Sequence, residues 1–302
     1  MYGDRADAAR AESAIVVAMN PAAVRAKILE ALFADGRLAE MLVLKGGNAL
    51  EIVHKLAERA SVDLDFSMSG DFDDFDLAKE CVLDALRRGM AAAGCVVFDE
   101  TFTAVPFVAG EDRFPWWGGY RVTFKLIPSE KADLVGTNRK RAQMQSIALE
   151  DGKRTYKIDI SKYEWCEGVV RRQMGPVTVA AYTEEMCVVE KFRAICQQMD
   201  EYVAPLNSHP TPRARDFYDI ETVVSRRALD LSLPEYAELF RSVFAAKHVP
   251  LRLLGLIEGT RDFHEQDWPS VVTSSKGVVL DFSYYFDFCV AESRKLEALW
   301  EE

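Results

Sequence analysis

The sequence has few histidines, no paired-cysteine motif and no long apolar run, and each scarcity closes off a class of protein. Four histidines (His54, His209, His248 and His264) are scattered along 302 residues, so a histidine-built zinc centre is not expected. The six cysteines, Cys81, Cys95, Cys166, Cys187, Cys196 and Cys289, form no C-x-x-C pair and match no zinc spacing. They read as reduced thiols of a cytoplasmic protein. No apolar stretch approaches the roughly 18 residues that span a bilayer, so no membrane partner is expected. Residues 1–10 carry acids and no apolar core, which argues against a signal peptide. Repeats and low-complexity tracts are absent as well.

Positive charge is also in deficit. Lys and Arg number 37 against 48 Asp and Glu, a net charge of −11. That balance excludes a general nucleic-acid binder held by counterion release. Basic residues nevertheless cluster at Arg139-Lys140-Arg141, Lys153-Arg154, Lys157, Lys162 and Arg171-Arg172. Such a strip either guides a phosphate-rich substrate or forms a solvated face with acidic neighbours. The hydrophobic fraction of 49% and charged fraction of 28% are those of an ordinary globular chain, long enough for one large domain or two smaller ones.

Residues 11–34 have helical spacing, with Pro21 starting a new helix and Asn20 as its cap. Met41 to Leu44 reads as a buried strand, Lys45-Gly46-Gly47 as a turn, and Asn48 to Ala60 as a helix. Val62 to Phe66 alternates and reads as a strand. A helix is expected over 75–93, followed by strands at 95–98, 102–108, 120–127 and 156–160. From Thr183 the pattern is helical, interrupted by a Pro-rich loop at 205–212. The change from mixed structure to helices is expected between 165 and 182.

The chemistry gathers around the acids. A strand ending in a glycine pair and feeding a helix lets backbone N–H groups approach a phosphate. Sixteen residues after Gly47, strand alternation puts Asp63 and Asp65 on one face and Val62, Leu64 and Phe66 on the other. Side-by-side carboxylates repel unless a cation lies between them, and Mg²⁺ or Mn²⁺ suits one or two carboxylates plus substrate phosphates. Tyr156 to Ser161 also alternates, with Lys157, Asp159 and Ser161 on one face. If that strand lies beside the first, Asp159 joins the pair and three acids could hold metal. Asp159 is then the candidate to help activate a nucleophile. On the 183–199 helix, Val188, Phe192, Ile195 and Met199 form an apolar stripe, and Lys191 at its edge could reach a cleft as a point charge for triphosphate oxygens. Its alternative is a surface ion pair with Glu184 or Glu190. Asp216 and Asp219 share a helical face, and one of them, Asp216 first, could orient Lys191 or bond to the nucleotide. Tyr218 reads as a core tyrosine. Arg59 and Ser61 precede the acids and could contact phosphate.

Four ordered blocks carry a resemblance to a known family. They are Lys45-Gly46-Gly47-Asn48-Ala49-Leu50 with Arg59 to Phe66; Lys157 to Ser161; Tyr182 to Met186 with Glu190 to Ala194; and Arg215-Asp216-Phe217-Tyr218-Asp219-Ile220. The chain resembles the AbiEii/AbiGii toxin family of the nucleotidyltransferase superfamily, related in fold to DNA polymerase β. Asn48 departs from the small hydroxyl residue more usual there, and could cap the helix or bond to a phosphate.

The resemblance implies an α+β protein. A mixed β-sheet nucleotidyltransferase domain (1–170) would precede an α-helical C-terminal domain (171–302), with the active site between them. It also implies a toxin that transfers a nucleoside monophosphate from an NTP to an acceptor such as tRNA, paired with a cognate antitoxin. Asp63, Asp65 and Asp159 would hold metal. Lys45, Gly46, Gly47, Asn48, Arg59, Ser61, Lys191 and Asp219 would meet the nucleotide, and Lys191 and Asp216 would serve the reaction. Transfer to a protein or small molecule, or a non-catalytic nucleotide-binding module, are the alternatives.

Overall fold

The computed structural model describes residues 21–56, 63–105, 114, 116–149, 152–206, 208–275 and 277–301. Among them seven strands form one sheet: β1 (Val43–Lys45), β2 (Leu64–Ser67), β3 (Cys95–Val105), β4 (Gly119–Pro128), β5 (Tyr156–Ser161), β6 (Val170–Met174) and β7 (Val177–Ala181). Their order is β3-β4-β5-β2-β1-β7-β6. The sheet is mixed: β2 runs parallel to β5 and β1 to β7, and the remaining neighbours are antiparallel.

Alternation decides which way the sheet faces. In β5, Tyr156, Ile158 and Ile160 are buried while Lys157, Asp159 and Ser161 are half-buried. In β2, Leu64 and Phe66 are buried and Asp65 is not fully so. The apolar face is covered by α1 (Pro21–Phe33) and α2 (Phe75–Ala92), which pack on each other. Phe33 of α1 meets Phe66 of β2 with ring centroids 6.2 Å apart. The polar face is left for the site.

The helical half begins at Thr183, whose hydroxyl accepts the Met186 N–H and caps α4 (Glu184–Cys196), α3 being the short Arg139–Gln145 helix against β4. Glu184 and Glu185 in the first turn of α4 suit the positive end of the helix. It packs on α5 (Ala214–Arg227) and α6 (Pro234–Ala245), and α5 packs on α7 (Phe282–Arg294). The expected stripe of Val188, Phe192, Ile195 and Met199 is buried, as is Tyr218.

The boundaries of the elements add detail, and two expectations are corrected, those for the helix after the glycine pair and for residues 95–108. The sheet extends to Ala181, because β7 pairs with β1 and carries β6 with it, and the helices begin at Thr183 as the helical pattern there suggests. One hydrophobic core also runs through both halves. The helix after the glycine pair is one turn over Gly46–Asn48 and a π-helical turn over Ala49–Val53, ended by Lys55 at φ 58°. Residues 95–105 form a single strand with an irregularity between Phe98 and Thr101, where two shorter strands were expected. No helix among the described residues is long and apolar enough to cross a membrane.

Candidate active site

Four strands align one row of charged residues. Arg121 of β4 stands opposite Asp159 of β5, Asp159 opposite Asp65 of β2, and Asp65 opposite Lys45 of β1. Residues in register share a face of the sheet, so the row reads plus, minus, minus, plus.

The outer charges hold the row in place. Arg121 grips Asp159 with two hydrogen bonds, Nε to Oδ1 at 2.8 Å and a terminal nitrogen to Oδ2 at 3.2 Å. Lys157 Nζ lies 2.6 Å from Asp63 Oδ2 and 3.4 Å from Asp159 Oδ2. Lys45 Nζ donates to Ser161 Oγ at 3.1 Å and to Glu164 at 3.3 Å. Burial pushes the Asp65 carboxyl up, opposed by Lys45 and reinforced by Asp159 and Asp63, to about 6.

Behind Lys45 lies a buried network. Glu164 also pairs with Arg193 at 3.1 Å and faces Lys247 at 3.6 Å. Burial alone would raise Glu164, but Arg193, Lys45 and Lys247 outweigh it and hold the carboxyl at about 2. Lys247, desolvated and beside two other cations, falls to about 8 despite Glu164.

The helical half adds a third group. Lys191 of α4 donates to Asp216 Oδ1 at 2.8 Å and to Asp219 Oδ2 at 2.7 Å, both on α5. Arg213 completes Asp216 at 2.6 Å. Against burial, Arg213 and Lys191 keep the Asp216 carboxyl well below the usual carboxylate range. Lys191 therefore does not form the surface pair with Glu184 or Glu190 weighed from sequence; it joins two helices through a buried one.

All three groups line one cleft of about 540 Å³ between the sheet and the N-terminal end of α5. That volume suits a nucleotide. Gly46 and Gly47 form part of its wall. Gly46 has φ 65°, and a Cβ there would stand 3.3 Å from Asp65 Oδ2, so the bare backbone lies directly against the acid.

A model of the family described as "Nucleotidyl transferase AbiEii toxin, Type IV TA system" matches residues 27–288. The chain belongs to this AbiEii toxin family. It is a nucleotidyltransferase of a type IV toxin–antitoxin family. No curated protein matches it in sequence. Among solved structures it is similar to JHP933 from Helicobacter pylori, with 17% identity over 91% of each chain and a TM-score of 0.44. It is also similar to MenT4, a nucleotidyltransferase toxin from Mycobacterium tuberculosis H37Rv, with 16% identity, 95% of this chain and 84% of that one covered, and a TM-score of 0.47.

Within this AbiEii chain the expected site residues separate into groups. Lys45, Gly46, Gly47, Asp65, Asp159, Lys191 and Asp216 line the cleft, Asp219 is bonded to Lys191 there, and Asp63 pairs with Lys157, which also reaches Asp159. Arg59 and Ser61 lie outside the described residues. Asn48 is fully buried, makes no helix cap, and donates its amide to the Asp63 carbonyl. Its place is behind the acids, not in the cleft.

Two further expectations change. Among the described residues no three carboxylates are placed to hold a metal together. Asp159, the expected third member, is gripped by Arg121 and Lys157 instead. The residues fit a cation best at Asp65, where burial, with Asp159 and Asp63 adding, raises the carboxyl and the missing Cβ of Gly46 leaves room beside it. The basic strip is also not one surface. Arg139 pairs with Asp99 and sits on α3, Lys162 pairs with Asp71 at 2.7 Å, and Arg171 and Arg172 lie on β6 at the opposite edge of the sheet. Of that strip, Lys157 is the residue bonded to the acids.

Arg121, Glu164, Arg193, Arg213 and Lys247 were not singled out from sequence. Alternation in 120–127 does place Arg121 on the polar face, but its position opposite Asp159 needs the strand register. Glu164 and Lys247 are 83 positions apart and meet only in the fold.

Proposed function

We propose that this chain transfers a nucleoside monophosphate from an NTP to a hydroxyl of an RNA acceptor, tRNA in the first instance, within a bacterial cytoplasm and under the control of a cognate antitoxin. The observation that carries the reading is the row Arg121–Asp159–Asp65–Lys45 facing Lys191 across one cleft. The family description supports the reaction class and the toxin role.

In the proposed reaction an acceptor oxygen attacks the α-phosphorus. The new P–O bond forms as the bond to the bridging α,β-oxygen breaks, and pyrophosphate leaves with that oxygen. Asp63 and Asp65 would hold Mg²⁺ or Mn²⁺, with Asp159 as third acid once substrate phosphate draws Arg121 away from it. The ion would supply charge neutralisation on the phosphates. Gly46 and Gly47 line the cleft, and their backbone N–H groups would suit phosphate oxygens. Lys45 and Lys191 provide positive charge on two sides of the cleft, held in position by Glu164 and by Asp216 with Asp219. Asp159, once released from Arg121, would help activate the acceptor's hydroxyl, as a metal ligand or as a base. Most of the catalytic effect is then positioning and preformed electrostatics.

The test is incubation of the protein with Mg²⁺, each α-³²P-labelled NTP in turn, and total bacterial RNA. Label in a tRNA-sized band is the expected result. Label in protein alone would replace the acceptor, and binding of nucleotide without any transfer would contradict the reaction.

A further inference from the structure

The sequence Trp116-Trp117-Gly118-Gly119 leads into β4 at the edge of the cleft, and its two indoles have different surroundings. Trp116 packs against the hydrophobic core and stacks on His248 of the helical half, with centroids 4.5 Å apart. Trp117 lines the cleft. Among the described residues its indole packs on no other ring, makes no hydrogen bond and is not part of the core. Tyr120, also in the cleft wall, is committed elsewhere: its ring stacks on Phe102 at 5.0 Å and its hydroxyl donates to Asp71.

The turn that presents Trp117 is fixed from both sides. Trp117 N–H donates to the Phe114 carbonyl at 2.9 Å, and Lys162 N–H donates to the Gly118 carbonyl at 3.0 Å. Gly119 is pressed onto β5, where a Cβ would fall 2.0 Å from the Ile160 carbonyl oxygen. The backbone that carries this half-buried indole is thus fixed, so little backbone freedom is lost when the ring meets a ligand. The cations of the cleft suit phosphates, which are common to every nucleotide. The flat aromatic face suits a nucleobase, through stacking that tolerates any base.

We propose that Trp117 is the stacking platform for a nucleobase in this cleft. The inference rests on the nucleotidyl-transfer reading and extends it to the part of the substrate that the phosphate contacts leave unread. Two sources share this chemistry: the base of the NTP and the terminal base of the acceptor strand.

The test uses the full chain and its Trp117→Ala and Trp117→Phe variants. The probes are α,β-methylene analogues of the four NTPs, inorganic tripolyphosphate, and a short single-stranded RNA with a free 3′-hydroxyl. Binding is read by calorimetry, with a thermal melt confirming that each variant folds. Trp117→Ala is expected to weaken either the analogues or the RNA by about tenfold, leave tripolyphosphate unchanged, and be largely rescued by Trp117→Phe. Loss confined to the analogues assigns the NTP base; loss confined to RNA assigns the acceptor base. Unchanged binding of both, or equal loss in Trp117→Phe, overturns the platform while wild-type nucleotide binding keeps the reaction standing. Wild-type protein that binds no probe at all overturns both.

Discussion

Asp65 of β2 and Asp159 of β5 stand opposite each other on parallel strands, with Lys45 in register beyond the first and Arg121 beyond the second. Two like charges are thus adjacent at the centre of the row and two opposite charges flank them. The Asp159 end is closed by a two-pronged guanidinium, whereas burial and neighbouring acids leave the Asp65 carboxyl raised to about 6. Several consequences can be measured.

Arg121→Ala removes the grip on Asp159. The pair is partly solvent-exposed, 44% and 27% for the two side chains, so stability should change by only about 0–1 kcal/mol. The acid row becomes more negative, so the Mg²⁺ concentration that half-saturates activity should fall while triphosphate binding weakens. A Mg²⁺ titration at fixed NTP checks this; an unchanged midpoint would count against Asp159 as part of the cation site.

Gly46→Ala puts a methyl group 3.3 Å from Asp65 Oδ2 at a residue with φ 65°. The left-handed backbone alone costs about 1–2 kcal/mol. Urea denaturation should show that modest loss, and transfer activity should fall far more than stability. Equal activity in folded protein would remove the glycine turn from the site.

Lys191→Met leaves Asp216 and Asp219 buried without their shared ammonium, where the side chains are only 7% and 5% exposed. Breaking such a buried group costs about 3–5 kcal/mol. Glu258→Gln breaks the exposed pair with Arg294, 66% and 59% exposed, and should shift the urea midpoint hardly at all. Similar midpoints for the two variants would show that Lys191 does not hold α4 to α5.

His264 gives a pH signature. Its ring is fully buried and its Nδ1 accepts the Arg213 N–H at 3.0 Å. Burial, with Arg213 adding and Asp216 opposing, lowers its pKa from 6.5 to about 4, so the folded protein keeps the ring neutral. The unfolded chain binds the proton first. Stability from this residue is therefore complete above about pH 6.5 and lost as pH falls towards 4, to the extent of about 3 kcal/mol. Melts across that range should steepen in wild type relative to His264→Gln. Parallel curves would contradict a buried neutral imidazole.

Period-two alternation made the acids legible before the fold. It separates Asp63 and Asp65 from Leu64 and Phe66, and Asp159 from Ile158 and Ile160, and the glycine pair marks the adjoining turn. The helical half was legible through the stripe from Val188 to Met199 and through Asp216 and Asp219. What alternation cannot reveal is which strands are neighbours. Arg121 acquires its meaning only from the register of β4 on β5, and β6 and β7 join the sheet only because Ala181 pairs with Leu44. The resemblance makes Asn48 a helix cap or a phosphate ligand, whereas its side chain is buried and its amide donates to the Asp63 carbonyl, a partner that only the fold brings near. Nothing in the spacing of Arg193 and Lys247 marks them as partners. Their shared carboxylate, Glu164, lies far away in sequence, and only burial around it makes them part of the site.

The most direct test is the rate of nucleotidyl transfer by Asp65→Asn, a near-isosteric change that removes charge from the centre of the row. Purified wild type and variant would be compared with Mg²⁺, α-³²P-labelled NTPs and purified tRNA, after melts confirm that both are folded. The expected result is at least a hundredfold loss, of the size seen when one preorganised electrostatic group is removed from an active site, about 10²–10³, with no loss of thermal stability. Transfer at the wild-type rate by folded Asp65→Asn protein would contradict it.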